Sequence, residues 1–363
     1  MKIPLFDLKA QYDSIKEEIN RAITNVVDKA QFIGGDELEN FEKNFAVYCQ
    51  KKHCIGASSG STALLTVLKC FGVQQGDEVI LPVNTFIATA FAVTLCGAKP
   101  VFVDVNEDNN LINTDLIENK ITEKTKAIIP VHLYGNVCKM DDIIEIAKKY
   151  NLHVIEDCAQ AHGSEYKGKK VPVTDIGCFS FFPVKNLGAF GDAGCIVCNE
   201  DEFAKKCRMF VNRGRTEKYF HTVDGFNFRL DNLQAAILDV KLKYLNSWIE
   251  KKREIAKNYD KLNLSKQIVR GDVKHSYHLY VLRDKNRDEL KKYLEENEIE
   301  TGIHYPVPLH LQPVFSYLGH KEGDFPAAEK SSKEILSIPL YAELKKNEQD
   351  KIINTILDFF EKR

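Results

Sequence analysis

The sequence predicts an α/β fold with a mostly parallel central sheet, followed by a smaller C-terminal α+β domain. Two observations lead to this prediction. From about residue 30 to 200, short β-branched runs alternate with stretches of helical periodicity, which is the pattern of βαβ units. Beyond about residue 248 the pattern changes to a candidate strand followed by charged helices. We therefore expect a large domain at residues 1–247 and a small domain at residues 248–363.

The elements of this fold follow from hydrophobic periodicity and from turn residues such as Gly76-Asp77. In the first part, the predicted strands are Glu78–Leu81, Val101–Val105, Ala127–Val131, His153–Glu156, Cys178–Phe181 and Cys195–Cys198. The helices between them include Leu38–Tyr48, Ser61–Phe71 and Met140–Tyr150. Residues 230–262 have one long helical pattern, and the expected domain boundary lies within it. Further on we expect a strand at Tyr277–Leu282 and helices at Arg287–Asn297 and Glu348–Phe360.

Charge and hydropathy exclude several classes of partner. The chain has 52 acidic and 50 basic residues and a net charge of −2, so it has no overall attraction for nucleic acid or an anionic membrane. The N-terminus lacks the apolar core of a signal peptide, and the most apolar stretch, Phe86 to Ala98, is shorter than the ~18 residues of a membrane helix. These features predict a cytoplasmic protein.

The ten cysteines are expected to be reduced in that compartment. The CxxC pair, Cys195 and Cys198, falls within a predicted strand. Their odd separation places the two side chains on opposite faces of the sheet, so we expect buried thiols and predict neither a metal site nor a redox pair.

Three segments contain residue types that suit a binding or catalytic site. The first, Ala57–Ala63, places small hydroxyl residues and Gly60 at the start of an amphipathic helix. Free backbone N–H groups at such a start can bind an anion such as phosphate, although Ser and Thr are also ordinary helix caps. The second, Val154–His162, places Asp157 where a parallel strand ends. Ligands bind at that edge of open α/β sheets, although an Asp there can also cap the next helix.

The third segment, Phe179–Gly194, contains Lys185 in a loop that leaves a strand and is rich in aromatic residues and glycine. A surface lysine is usually only a solvated charge. Here apolar neighbours favour a partly desolvated amine, whose pKa falls toward the reactive neutral form that a Schiff base needs. The sequence contains neither GxGxxG nor GxxxxGK[ST], which argues against nicotinamide and P-loop chemistry.

Taken together and in order, these segments resemble the DegT/DnrJ/EryC1/StrS sugar aminotransferases, which have the aspartate aminotransferase (fold type I) architecture. The resemblance extends over almost the whole chain. It rests on these motifs: Pro4–Lys9, Phe32–Gly35, Gly76–Ile80, Pro82–Thr89, Asp157–His162, Ser180–Gly194, Gly225–Leu230, Leu233–Ala236 and His304–Pro306.

The resemblance implies roles for individual residues. Lys185 would bind pyridoxal 5′-phosphate (PLP) covalently and transfer the proton, and Asp157 would hold the protonated pyridine nitrogen. Asn227 would reach the cofactor phosphate of a neighbouring subunit, which implies a homodimer with shared active sites. The remaining implied contacts are Phe86 on the ring face, Gln160 near the phenolic oxygen, Gly60, Ser61 and Ser180 at the phosphate, and Arg229, His304 and Tyr305 on the substrate side.

The implied reaction is transamination of a nucleotide-linked keto sugar, with glutamate as amino donor, in deoxyaminosugar and glycan biosynthesis. The segment Leu5–Tyr12 is most similar to members that act on 3-keto-6-deoxyhexoses, and dTDP is the favoured nucleotide. A 4-keto sugar and a UDP-linked sugar remain alternatives, as does a non-catalytic regulatory member of the family. A deoxysugar dehydratase would have histidine at the position of Lys185.

Two departures from the family pattern concern the site. Val184 precedes the lysine where the family usually has glycine or serine, and we expect it to restrict the loop or to narrow the site. The segment Asn212–Thr216 also differs from the common versions. We expect that loop near the sugar nucleotide, so the difference bears on the identity of the substrate.

Overall fold

The structure, a computed structural model, describes residues 2–262 and 264–362. In chain order its helices are α1 (Leu8–Ser14), α2 (Lys16–Lys29), α3 (Asp36–Tyr48), α4 (Gly60–Cys70), α5 (Ile87–Thr94), α6 (Met140–Tyr150), α7 (Asp201–Val211), α8 (Asn232–Leu242), α9 (Leu245–Tyr259), α10 (Arg287–Glu296), α11 (Pro326–Glu334) and α12 (Lys346–Glu361).

The strands are β1 (His53–Ala57), β2 (Glu78–Pro82), β3 (Lys99–Val103), β4 (Thr125–Ile128), β5 (His153–Val154), β6 (Glu156–Asp157), β7 (Glu165–Tyr166), β8 (Lys169–Lys170), β9 (Gly177–Ser180), β10 (Gly194–Cys198), β11 (Arg215–Glu217), β12 (Phe220–His221), β13 (Val273–Lys274), β14 (Tyr280–Arg283) and β15 (Ile335–Ile338). In the described parts of the chain, we find no helix long and apolar enough to span a bilayer.

The central sheet has the order β3-β2-β4-β5/β6-β9-β10-β1. Strands β5 and β6 act as one interrupted strand, because Ile155 N donates to Ile128 O at 3.0 Å and Asp157 N donates to Pro130 O at 2.9 Å. All neighbours pair in parallel except β10, which is antiparallel to both β9 and β1. The predicted α/β fold with a mostly parallel sheet is confirmed.

This topology brings four chain segments to one edge of the sheet. Strands β2, β6 and β9 run in the same direction, and β1 joins them because β10 is antiparallel to both of its neighbours. Their carboxyl ends therefore lie together, and ligands bind at that edge of such sheets. The segments that leave it begin at Ser58, Val83, Cys158 and Phe181.

Two apolar clusters cover the faces of the sheet, and strand β10 contributes to both. Its residues alternate between them, with Cys195 and Val197 in one cluster and Ile196 and Cys198 in the other. The prediction that the two cysteines of the CxxC pair point to opposite faces is confirmed.

The long helical pattern at residues 230–262 forms two helices, so the expectation of one continuous helix was wrong. Between α8 and α9, Lys243 N and Tyr244 N bond to carbonyls three residues back, which interrupts the regular i→i−4 ladder. Tyr244 and Trp248 stack at the bend, with ring centroids 5.8 Å apart.

A third apolar cluster lies mainly in the C-terminal part, and Ile3 from the N-terminus joins it through a bridge to Ile299. Helix α9 contributes to this cluster through Ile255, and to the clusters of the larger part through Trp248 and Ile249. Because one helix serves both parts, the boundary between residues 247 and 248 stays a prediction.

Candidate active site

The four converging segments enclose a cavity of about 470 Å³. Two further segments from the C-terminal part, around His278 and around His304, close it from the other side. Of the residues predicted from the sequence, the cavity wall contains Gly60, Ser61, Phe86, Asp157, Gln160, Ser180, Lys185, His304 and Tyr305.

Asp157 is fixed at the inner end of the cavity. It is the last residue of β6 and is 4% exposed. Its two carboxylate oxygens accept hydrogen bonds from Thr89 Oγ1 at 2.9 Å and Ala159 N at 3.1 Å. Burial raises the pKa of this carboxyl, while the two hydrogen bonds and the nearby amine of Lys185 oppose that rise. A cationic group placed beside Asp157 would therefore be strongly favoured.

Successive side chains of a strand point to opposite faces, so the neighbouring acidic residue, Glu156, points away from Asp157. Glu156 is fully buried and accepts hydrogen bonds from His132 Nε2 at 2.8 Å and Val173 N at 2.8 Å, which tie β6 to the adjacent loops. Glu156 and His132 thus satisfy each other, and the carboxylate that faces the cavity is that of Asp157.

Lys185 lies on a tight loop that leaves β9. Its own N–H donates to Phe182 O at 2.8 Å, and the loop closes where Ala189 N donates to Phe181 O at 2.8 Å. Gly188 is required at this closure, because a Cβ there would lie 2.1 Å from Pro183 O. The loop presents the Lys185 side chain to the cavity in a fixed direction.

The Lys185 side chain is half-buried. Burial lowers the pKa of its amine to about 8, while the charge of Asp157 acts in the opposite direction. A substantial neutral fraction near neutral pH makes the amine competent as a nucleophile and as a base. The lysine and the carboxylate line the same cavity.

The start of helix α4 forms the third wall. Ser59 caps the helix by accepting a hydrogen bond from Thr62 N at 3.1 Å. The N–H groups of Gly60 and Ser61, at the start of the helix, have no partner within the helix. Gly60 lies against β9, because a Cβ there would be 2.8 Å from Ser180 Cβ. Free N–H groups, the Ser61 and Ser180 hydroxyls and the positive end of the helix dipole together suit a phosphate.

Aromatic and amide side chains form the remaining wall. Gln160 accepts from Tyr134 N at 2.7 Å and donates to the Tyr305 hydroxyl at 3.1 Å. The rings of Tyr305 and Phe86 lie 5.8 Å apart, and Phe86 is 54% exposed. His304 Nδ1 lies 2.9 Å from Ser337 Oγ. The C-terminal part therefore places two polar side chains in fixed positions over the cavity.

Two predicted residues, Asn227 and Arg229, lie outside this cavity. Asn227 is exposed and pairs through its backbone with Asn212, and Arg229 Nη1 donates to Asn212 Oδ1 at 3.0 Å. Their segment still adjoins the site, since Ser58 N donates to Phe228 O at 2.7 Å. The chain does not bring either side chain into its own cavity.

Sequence reasoning missed other residues of the site, among them Thr89. It lies one helical turn after Phe86 and donates directly to Asp157, but a threonine in the apolar helix α5 gave no separate signal. His278 also lines the cavity and stacks on Phe6 at a centroid distance of 6.1 Å. Only the tertiary fold brings His278 into the cavity that contains Asp157. Val184, the departure from the family pattern, forms part of the cavity wall beside Lys185.

Comparisons with known proteins show the family to which this chain is related. A sequence model of the DegT/DnrJ/EryC1/StrS aminotransferase family matches residues 13–357. A pleiotropic regulatory protein of Geobacillus stearothermophilus is 46% identical over 99% of each chain. A dTDP-3-amino-3,6-dideoxy-alpha-D-galactopyranose transaminase of Aneurinibacillus thermoaerophilus is 42% identical over 98% of each chain. The solved structure of S. venezuelae DesV, in complex with a ketimine intermediate, has a TM-score of 0.98, 38% identity and 99% coverage of both chains.

The fold and the cavity define the class: this is a fold type I, PLP-dependent aminotransferase. More closely, the chain belongs to the DegT/DnrJ/EryC1/StrS aminotransferase family. Both conclusions confirm what the sequence resemblance predicted.

Proposed function

We propose that this enzyme transfers an amino group from glutamate to the 3-keto group of a dTDP-linked 6-deoxyhexose, giving a nucleotide-linked amino sugar. The main support is that Lys185 and Asp157 line one cavity together with the start of α4, whose free N–H groups suit an anion. The relative from Aneurinibacillus, which is named as a transaminase of a dTDP-linked 3-amino sugar, supports the choice of substrate.

The residues of the cavity fit PLP. The start of α4 with Gly60, Ser61 and Ser180 would hold the phosphate, and Phe86 would cover the ring face. Gln160 would lie near the phenolic oxygen, and the buried carboxylate of Asp157 would hold the ring nitrogen in its protonated state.

When bound, PLP supplies an electron sink for the carbon that loses a proton. The protein supplies the remaining steps. Lys185, whose pKa is lowered to about 8, would hold the cofactor through its amine and would move the proton to and from the substrate carbon. His304 and Tyr305, fixed by Ser337 and Gln160, would position the sugar.

A second candidate function is regulation without turnover, and it is favoured by the relative from Geobacillus, which is named a pleiotropic regulatory protein. The two functions differ in one direct way. A transaminase converts bound PLP to its amino form when glutamate is added, whereas a regulatory protein does not exchange amino groups.

An amination assay with a panel of keto sugars tests the proposal. The panel would contain dTDP- and UDP-linked 3-keto and 4-keto 6-deoxyhexoses, with glutamate as donor and NMR of the product. We expect the highest kcat/KM for the dTDP-linked 3-keto sugar. A preference for a 4-keto or UDP-linked sugar would show that the proposed substrate is wrong. The absence of turnover with every sugar would support the regulatory function.

We further propose a homodimer in which Asn227 serves the partner's site. The support is the position of Asn227, which is exposed and next to the α4 start but outside its own cavity. Large exposed aromatic side chains near this segment and the cavity also favour an interface. They are Phe86, Phe182, Phe190, Tyr219, Phe220 and Phe226.

Asn227→Ala is expected to weaken PLP binding by roughly 10- to 100-fold, the effect of losing one hydrogen bond to a charged group. A PLP titration followed by absorbance measures this, with sedimentation to establish the oligomeric state. Asn354→Ala, an exposed substitution on the terminal helix, is the matched control and should bind PLP normally. A monomeric wild-type protein whose affinity does not depend on Asn227 would contradict the shared site.

A further inference from the structure

Two buried lysines that lie outside the wall of the cavity bind the loop that carries Lys185. Lys241 of α8 is 2% exposed and donates through Nζ to Gly188 O. Lys252 of α9 is 7% exposed and donates through Nζ to Asn186 Oδ1 at 2.8 Å. Both acceptors lie within three residues of Lys185.

The contact through Asn186 lies closest to the chemistry, because Asn186 directly follows Lys185. The Asn186 side chain is buried and is held on both sides. Its Nδ2 donates to Ser276 O at 2.9 Å, and its Oδ1 accepts from Lys252. Lys252 Nζ also lies 3.4 Å from the carbonyl oxygen of His278, whose side chain lines the active-site cavity. One amine therefore joins the catalytic loop to the segment of the C-terminal part that closes the site.

The location of Lys252 is costly for a lysine. Its two acceptors, an amide and a carbonyl, are uncharged, and burial lowers the pKa of the amine to about 7, with Glu343 acting in the opposite direction. Burying an ammonium group without a directly paired carboxylate opposes folding, and an apolar side chain in its place is often more stable. The amine can donate hydrogen bonds in both its neutral and its charged form, so the contact with Asn186 is kept at pH values above and below the pKa of Lys252.

We propose that Lys252 is a positioning residue of the transaminase, which fixes the backbone next to Lys185 by clamping Asn186 against the segment that ends at His278. This inference rests on the proposed role of Lys185 as the amine that binds PLP. Lys252 itself is expected to contact neither the cofactor nor the substrate, because it lies outside the cavity wall.

Lys252→Met tests this inference, because methionine fills a similar space without donating a hydrogen bond. We expect the variant to fold and to bind PLP, but to attach it covalently more slowly and to lose about 10²-fold in kcat, the effect of a misplacement of about 1 Å. KM for the keto sugar should change little. Lys251→Met, an exposed substitution on the same helix, is the matched control and should behave as the wild type.

A double-mutant cycle separates positioning from a general loss of stability. If Lys252 acts through Asn186, the double variant Lys252→Met/Asn186→Ala should match the more impaired single variant within about twofold in kcat. The covalent attachment rate, measured by stopped-flow absorbance, should show the same non-additivity. If Lys252→Met fails to fold, Asn186→Ala alone should show slowed attachment and reduced kcat with nearly unchanged KM.

The inference is overturned if Lys252→Met attaches PLP and turns over at wild-type rates, or if the two effects multiply. If Lys252→Met cannot be prepared, a fully active Asn186→Ala variant also overturns the inference. A wild-type protein that attaches no PLP at Lys185 would instead overturn the proposed function. The two failures are therefore distinguishable in one set of experiments.

Discussion

Lys185→Ala is expected to reduce turnover by roughly 10⁴-fold or more, the upper end of what a positioned acid–base group contributes. The substitution removes both the covalent attachment point and the group that moves the proton. The other contacts of the cavity remain, so the variant should still bind PLP non-covalently. The Asp157 carboxylate and the start of α4 are not altered by this change.

Steady-state kinetics with glutamate and the keto sugar measure the loss, and the absorbance spectrum reports whether PLP is still bound. Lys169→Ala, at an exposed position outside the cavity, is the control and should be fully active. Near-normal turnover of Lys185→Ala would exclude the assigned role.

Asp157→Asn is expected to reduce kcat by roughly 10²- to 10³-fold, which is the loss typical of removing one preorganised electrostatic partner. The amide has nearly the same shape and can keep the contacts with Thr89 and Ala159, but it has no charge to stabilise a protonated ring nitrogen. Because burial already raises the pKa of the Asp157 carboxyl, a neutral group in its place should not destabilise the protein before PLP binds.

Two measurements check this expectation. The melting temperature of the PLP-free variant should equal or exceed that of the wild type at neutral pH, whereas kcat should fall. A large loss of stability with normal kcat would mean that Asp157 is a structural residue. A variant unaffected in both respects would contradict any role for its charge.

The sequence predicted the parts of the site that are local in the chain. Asp157 ends strand β6 and Lys185 follows β9, and the carboxyl ends of parallel strands must lie at one edge, so their convergence follows from the topology. The proposed phosphate site at the start of α4 was visible for the same reason, as serine and glycine residues before an amphipathic helix.

Other features depend on contacts between distant segments, which a single sequence does not encode visibly. Thr89 and Lys252 act through residues 68 and 66 positions away. The break between α8 and α9 was not predicted, because the apolar periodicity continues through it. Asn227 was predicted from the family resemblance alone, and the structure of one chain leaves it outside the cavity.

Three buried or half-buried lysines lie at or beside one loop, and burial lowers the pKa of each amine, to about 8 for Lys185 and Lys241 and to about 7 for Lys252. The proposed function requires that the amine of Lys185 is the one that binds PLP. Borohydride reduction of the PLP-loaded protein, followed by peptide mass spectrometry, identifies which amine carries the cofactor. We predict a pyridoxyl group on Lys185 and on no other residue. Attachment to Lys252 or Lys241, or no attachment at all, would contradict the account.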